Sequence, residues 1–86
     1  MGDFNQIIIF GKNVKGSTPE TWQKAIEALK KYGMESVYMG APLSISEDRV
    51  WIIKGSMSGY AKMIGDPEWP MNTIMTDTRS IVCWTP

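Results

Sequence analysis

The chain has 86 residues, nine basic against nine acidic, 43% apolar residues and no histidine. That length holds one domain, residues 1–86, whose core is small enough to gain from a partner subunit. Balanced charge argues against a nucleic-acid or anionic-lipid footprint, and without histidine the usual neutral-pH base, metal ligand and haem ligand are missing, so neither a metal nor a cofactor is expected.

The opening MGDFNQ lacks the positive and apolar regions of a secretion signal. Phe4–Phe10 is rich in isoleucine and stops at Gly11, which predicts a strand. Its isoleucines are consecutive, so both faces are apolar and the strand is central. The longest clear apolar run, Ile7–Phe10, is too short to span a bilayer, and no membrane contact is expected. Gly11–Thr18 (GKNVKGST) almost spells a phosphate loop between a strand and a helix, but Ser17 stands where the lysine belongs. A plain connector with a good helix cap is the favoured reading, although Lys12, Lys15 and the backbone amides suit an anion.

Thr18 can cap a helix that begins at Pro19, and Ser17 with Glu20 offers an alternative capping box. Trp22, Ala25, Ile26, Leu29 and Tyr32 then follow helical spacing, and Gly33 is the left-handed stop. ESVYMGAPLS alternates, with Val37, Met39, Ala41 and Leu43 on one side, and Pro42 makes it an edge strand. RVWIIK (Arg49–Lys54) is bulky on both faces, hence central, and forms a hairpin with the strand before it. MSGYAKMIG places Met57, Tyr60, Ala61 and Ile64 on one face of a short helix weakened by Gly59 and ended by Gly65. Gly65–Asp77 has no regular pattern, and Thr78–Trp84 reads as the last strand. Its lone cysteine, Cys83, sits among Ile81, Val82 and Trp84 and reads as a buried small hydrophobe. A single cysteine allows no internal disulfide, so a cytoplasmic location fits.

The order strand, helix, strand, strand, helix, strand is the ferredoxin-like βαββαβ plan of an α+β protein. Right-handed crossovers give a four-stranded antiparallel sheet of order 4-1-3-2, with two helices on one face. Two helices cover one face only, yet the first, third and fourth strands supply apolar groups to both. At about 25 cal/mol per Å² of apolar area, covering the second face is worth many kcal/mol. A second copy of the same face is the simplest cover, so a homodimer through the open sheet face is expected.

This element order, the two-faced sheet and a short second helix running into DPEWP resemble the dimeric α+β barrel superfamily over nearly the whole chain. No motif selects one family within it. The resemblance implies a pocket between sheet and helices. It also brings in small uncharacterised stress-response-type proteins, cofactor-independent monooxygenases, haem-degrading enzymes and isomerases. Haem degradation typically needs a histidine ligand, which this chain lacks.

Trp69 stands out among the four tryptophans because no periodic element explains it. Trp22 belongs to a helix face and reads as core, whereas Trp51 and Trp84 sit in strands where either can meet the dimer seam. Loops as long as Gly65–Asp77 often bind or cover ligands, but Trp69 and Met71 can equally plug the end of the core in place of further helix. The pocket candidates are Trp69, Asn72, Tyr60, Trp51, Tyr38 and Arg49. Arg49 and Arg79 begin strands, where solvent, a ligand carboxylate or an acid across the dimer can meet them. Two readings follow. One is a non-catalytic homodimer that holds a small apolar or aromatic ligand near Tyr60 and Trp69. The other is a cofactor-independent monooxygenase or isomerase in which Asn72 and a tyrosine orient substrate while Asp66 or Glu68, with a raised pKa, moves a proton.

Overall fold

The computed structural model describes residues 5–69 and 74–83. Strand β1 (Asn5–Asn13) leads to helix α1 (Pro19–Leu29), extended by a 3-10 turn over Lys30–Tyr32. Then come β2 (Glu35–Gly40), β3 (Arg49–Gly55), helix α2 (Met57–Gly65) and β4 (Met75–Cys83). All neighbouring strands are antiparallel, in the order β2-β3-β1-β4, the expected 4-1-3-2 read backwards. The two strands that are apolar on both faces are the central ones.

The register sorts the faces. Ile7 pairs with Ile53 and Ile9 with Trp51, and all four are fully buried. They form one core with Ala25 and Leu29 of α1 and Met63 of α2, which places both helices on that side. The intervening pairs, Ile8 with Ile52 and Phe10 with Val50, belong to the other face and are only half-buried. Tyr38 lies opposite Ile52 and Ile81 opposite Ile8, at 56% and 46% exposure.

Thr18 is the cap of α1, but its capping box closes on Thr21 rather than Glu20: the Thr21 N–H donates to Thr18 Oγ1 at 3.2 Å and the Thr18 N–H to Thr21 Oγ1 at 3.3 Å. Ser17 instead donates to Asn13 Oδ1, 2.8 Å. Gly33, at φ 71°, ends the 3-10 turn in the left-handed conformation that glycine accepts without a Cβ penalty.

Several expectations are corrected. β1 continues through Gly11–Asn13, and β4 begins at Met75 instead of Thr78, because Lys12 pairs with Thr76 and Asn13 with Met75 beyond a bulge. Gly11–Asn13 is therefore strand and forms no phosphate loop, and Asp77 takes a positive φ of 51° beside the bulge. The even alternation expected from Val37 to Leu43 fails, since a second irregularity between Ser36 and Tyr38 breaks it and β2 stops at Gly40. Val37 is 48% and Leu43 99% exposed. On α2 the buried line is Gly59 and Met63, while Met57 and Ile64 face outward. Cys83 is exposed, because it lies on an edge strand beyond the cover of the helices. Phe4 and Trp84, expected as the outer ends of strands, lie outside the described residues. Among the described residues no helix is long and apolar enough to cross a membrane.

Candidate functional site

The turn after α2 carries the tryptophan that the sequence leaves unexplained. Pro67 cannot donate a backbone hydrogen bond, so the chain leaves the helix at Asp66. The Trp69 N–H then donates to the Asp66 carbonyl oxygen at 3.0 Å, and the Glu68 N–H to Asp66 Oδ1 at 2.9 Å. Asp66 Oδ2 accepts from the Tyr32 hydroxyl at 2.6 Å and from Lys31 Nζ at 3.1 Å. These donors hold the Asp66 carboxyl down at about 2, with the Tyr32 hydroxyl the largest contributor, then the Glu68 amide and Lys31. The same hydrogen bond pushes the Tyr32 hydroxyl up. One carboxylate thus ties the turn to the end of α1.

So fixed, Trp69 stacks on Trp51, with centroids 6.1 Å apart and planes 14° apart, and meets Tyr32 edge-on at 5.9 Å. Its indole Nε1 is buried with no hydrogen-bond partner among the described residues. Beside it lies a cavity of about 300 Å³ between α2 and β4. Trp69, Ile9, Met63, Ile64 and Pro67 give this cavity an apolar wall, while Tyr60, Asp66, Thr78 and Ser80 supply polar atoms. The Tyr60 hydroxyl donates to Ser80 Oγ at 3.2 Å, so the polar edge is already ordered. Trp69 therefore does both things considered for it: it plugs the core against Trp51 and Tyr32, and it borders a cavity.

Of the predicted site residues, Tyr60 and Trp69 come together here. Trp51 is neither in the cavity lining nor on the open sheet face: it lies under the helices, stacked by Trp69, edge-on to Trp22 at 5.7 Å, with its Nε1 donating to Ser36 Oγ at 2.8 Å. Tyr38 belongs to the open sheet face and is not in the lining of this cavity, because the irregularity in β2 sets it opposite Ile52. Asn72 lies outside the described residues. Arg49 borders a different cavity, of about 380 Å³, with Trp22, Met39, Gly40, Ala41 and Val50. Arg79 is not at the start of a strand but within β4, where it pairs with Glu47 of the same chain and lies over the Phe10 ring at 4.5 Å.

Sequence reasoning passed over Thr78 and Ser80. Their signal was period two: Ser80 lies opposite Ile9, so it shares the helix-covered side of the sheet. Trp22 and Met39 were missed as cavity residues because helical and strand periodicity mark both as core.

No protein-family model and no curated protein matches the chain. Two solved structures are similar. A structural-genomics protein of unknown function from Rhodopseudomonas palustris superposes with a TM-score of 0.67 at 14% identity, over 100% of this chain and 85% of that one. A dimeric ferredoxin-like protein of unknown function from Thermobifida fusca gives 0.57 at 15% identity, over 99% and 93%. Likeness at these identities is likeness of fold. The chain has the ferredoxin-like architecture.

Proposed function

We propose that this protein is a homodimeric, non-catalytic module that holds a small apolar or aromatic ligand between α2 and β4. The observation that carries the reading is the cavity beside Trp69, apolar on one wall and edged by the Tyr60–Ser80 hydroxyl pair. Ligand sites combine apolar walls with a few placed polar groups, and this cavity divides about evenly between the two. Dimerisation draws support from the half-buried Ile8, Phe10, Val50 and Ile52 on the open sheet face, and from the dimeric state given for the Thermobifida fusca protein.

Binding without chemistry is preferred to a cofactor-independent monooxygenase or isomerase on one point. A carboxylate that moves a proton near neutral pH needs a raised pKa, whereas Asp66, which borders the cavity, is held at about 2. Glu68 is exposed and faces Lys31 at 3.8 Å.

Tryptophan emission during titration with phenol and with cyclohexanol tests the site. A saturable change is expected in the wild type, and it shrinks at least about threefold in Trp69→Phe because the reporter bordering the cavity is gone. Absence of any saturable change up to millimolar ligand, with the fold intact by circular dichroism, would sink the proposal.

A further inference from the structure

We infer that the cavity around Arg49 is a second binding site, one that takes a small carboxylic acid with a flat apolar body. Three observations converge on it. First, Arg49 is half-buried, yet among the described residues no carboxylate lies within ion-pair distance of it. The other arginine is matched by Glu47, and the half-buried Lys54 is matched by Glu35 at 3.4 Å. The acids nearest Arg49 in sequence are otherwise engaged: Glu47 with Arg79, and Asp48 Oδ1 as acceptor of the Asn13 N–H at 2.7 Å.

Second, the guanidinium is oriented but not saturated. Its Nη1 donates to the Asp48 carbonyl oxygen at 2.7 Å, which anchors the fork at one corner. Nε and Nη2 have no acceptor among the described residues, and a carboxylate is the planar group that accepts from two guanidinium nitrogens at once. Third, the rest of the lining suits an apolar body. Trp22 and Met39 face the cavity, and the Trp22 ring is fixed by its edge-on contact with Trp51 at 5.7 Å. A volume of about 380 Å³ is ample for one aromatic ring with a short acidic arm.

In register Arg49 lies opposite Gly11, two residues along from the buried pair Ile9–Trp51. It therefore belongs to the helix-covered side of the sheet with Met39, and a dimer formed through the other face, where Val50 borders the cavity, leaves Arg49, Trp22 and Met39 uncovered by the partner. This inference does not depend on the cavity beside Trp69.

The test is a nuclear magnetic resonance titration of the full ¹⁵N-labelled chain with phenylacetate, and with phenylacetamide as its uncharged counterpart. Phenylacetate is expected to shift the Arg49 Nε–Hε signal and the amides of Gly40, Ala41 and Val50 saturably. Phenylacetamide should bind about tenfold more weakly or worse, and Arg49→Gln should weaken phenylacetate binding to the same degree. Equal binding of acid and amide would overturn the inference, as would shifts confined to Tyr60, Ile64 and Ser80, or none at this cluster at millimolar concentration. Should Arg49→Gln fail to fold, the acid-against-amide comparison on the wild type decides alone.

Discussion

Asp66 shows how much one side chain organises. Its two oxygens receive Tyr32, Lys31 and the Glu68 amide, so the turn that positions Trp69 is fastened to the 3-10 end of α1 as well as to α2, whose Met63 carbonyl accepts the Asp66 N–H. Because the folded carboxyl is held at about 2, below its ordinary 3.8, the stabilisation is fully present above about pH 4. It is lost as pH falls through about 2. Asp66→Asn removes the charge, so its melting temperature should lie below that of the wild type at pH 7 and at pH 5. That gap should narrow between pH 4 and pH 2, and thermal melts of the two proteins across this range check it. A gap that instead widened on acidification would show that Asp66 is protonated in the fold. Little of this was legible beforehand. Trp69 drew notice because no period accounts for it, but Tyr32 and Asp66 are 34 residues apart, and no local pattern announces a hydrogen bond across that span.

Among the elements, α2 reverses an ordinary expectation. A glycine inside a helix normally weakens it by roughly 0.5–1 kcal/mol relative to alanine. At Gly59, however, a Cβ would stand 2.4 Å from the Tyr32 carbonyl oxygen, a backbone atom that cannot swing aside. Gly59→Ala is therefore expected to destabilise the protein by about 1–3 kcal/mol, against propensity, as a fall in the urea midpoint. Gly65→Ala serves as the control: a Cβ there meets nothing within 4 Å among the described residues, so the change should be neutral or slightly stabilising. The same contact explains why the apolar face predicted for this helix was misplaced. Hydropathy chose Met57, Tyr60, Ala61 and Ile64, since it counts side chains and scores glycine as empty. The helix in fact turns Gly59 and Met63 onto the core, the bare glycine allowing close approach to the Tyr32 carbonyl, and leaves Met57 and Ile64 exposed at 45% and 61%. By contrast the buried face of α1 was legible, because its contacts are made by side chains at regular spacing. Strand ends were misread wherever a bulge intervened, for an extra residue changes pairing without changing composition.

Over the whole molecule, strand order was readable because residues apolar on both faces can only sit where both faces are covered or can be covered. Helices cover Ile7, Ile9, Trp51 and Ile53, which leaves Ile8, Phe10, Val50, Ile52 and Ile81 on a face that no helix among the described residues covers. A domain this small has little core to spare, so burying that face against a copy of itself contributes directly to stability. The proposed dimer accordingly predicts a solution mass of twice 9.7 kDa at micromolar concentration, measured by light scattering on a sizing column. Ile52 is central to the face, opposite both Ile8 and Tyr38, so Ile52→Asp should raise the dissociation constant about a hundredfold or more. Ile64→Asp makes the same chemical change at a more exposed isoleucine on α2, off the sheet, and should leave the mass unaltered. That pairing separates a specific sheet-to-sheet interface from general stickiness. Loss of the dimer in both variants would point to non-specific association. A wild type that is monomeric at tens of micromolar would leave the open face needing a different partner.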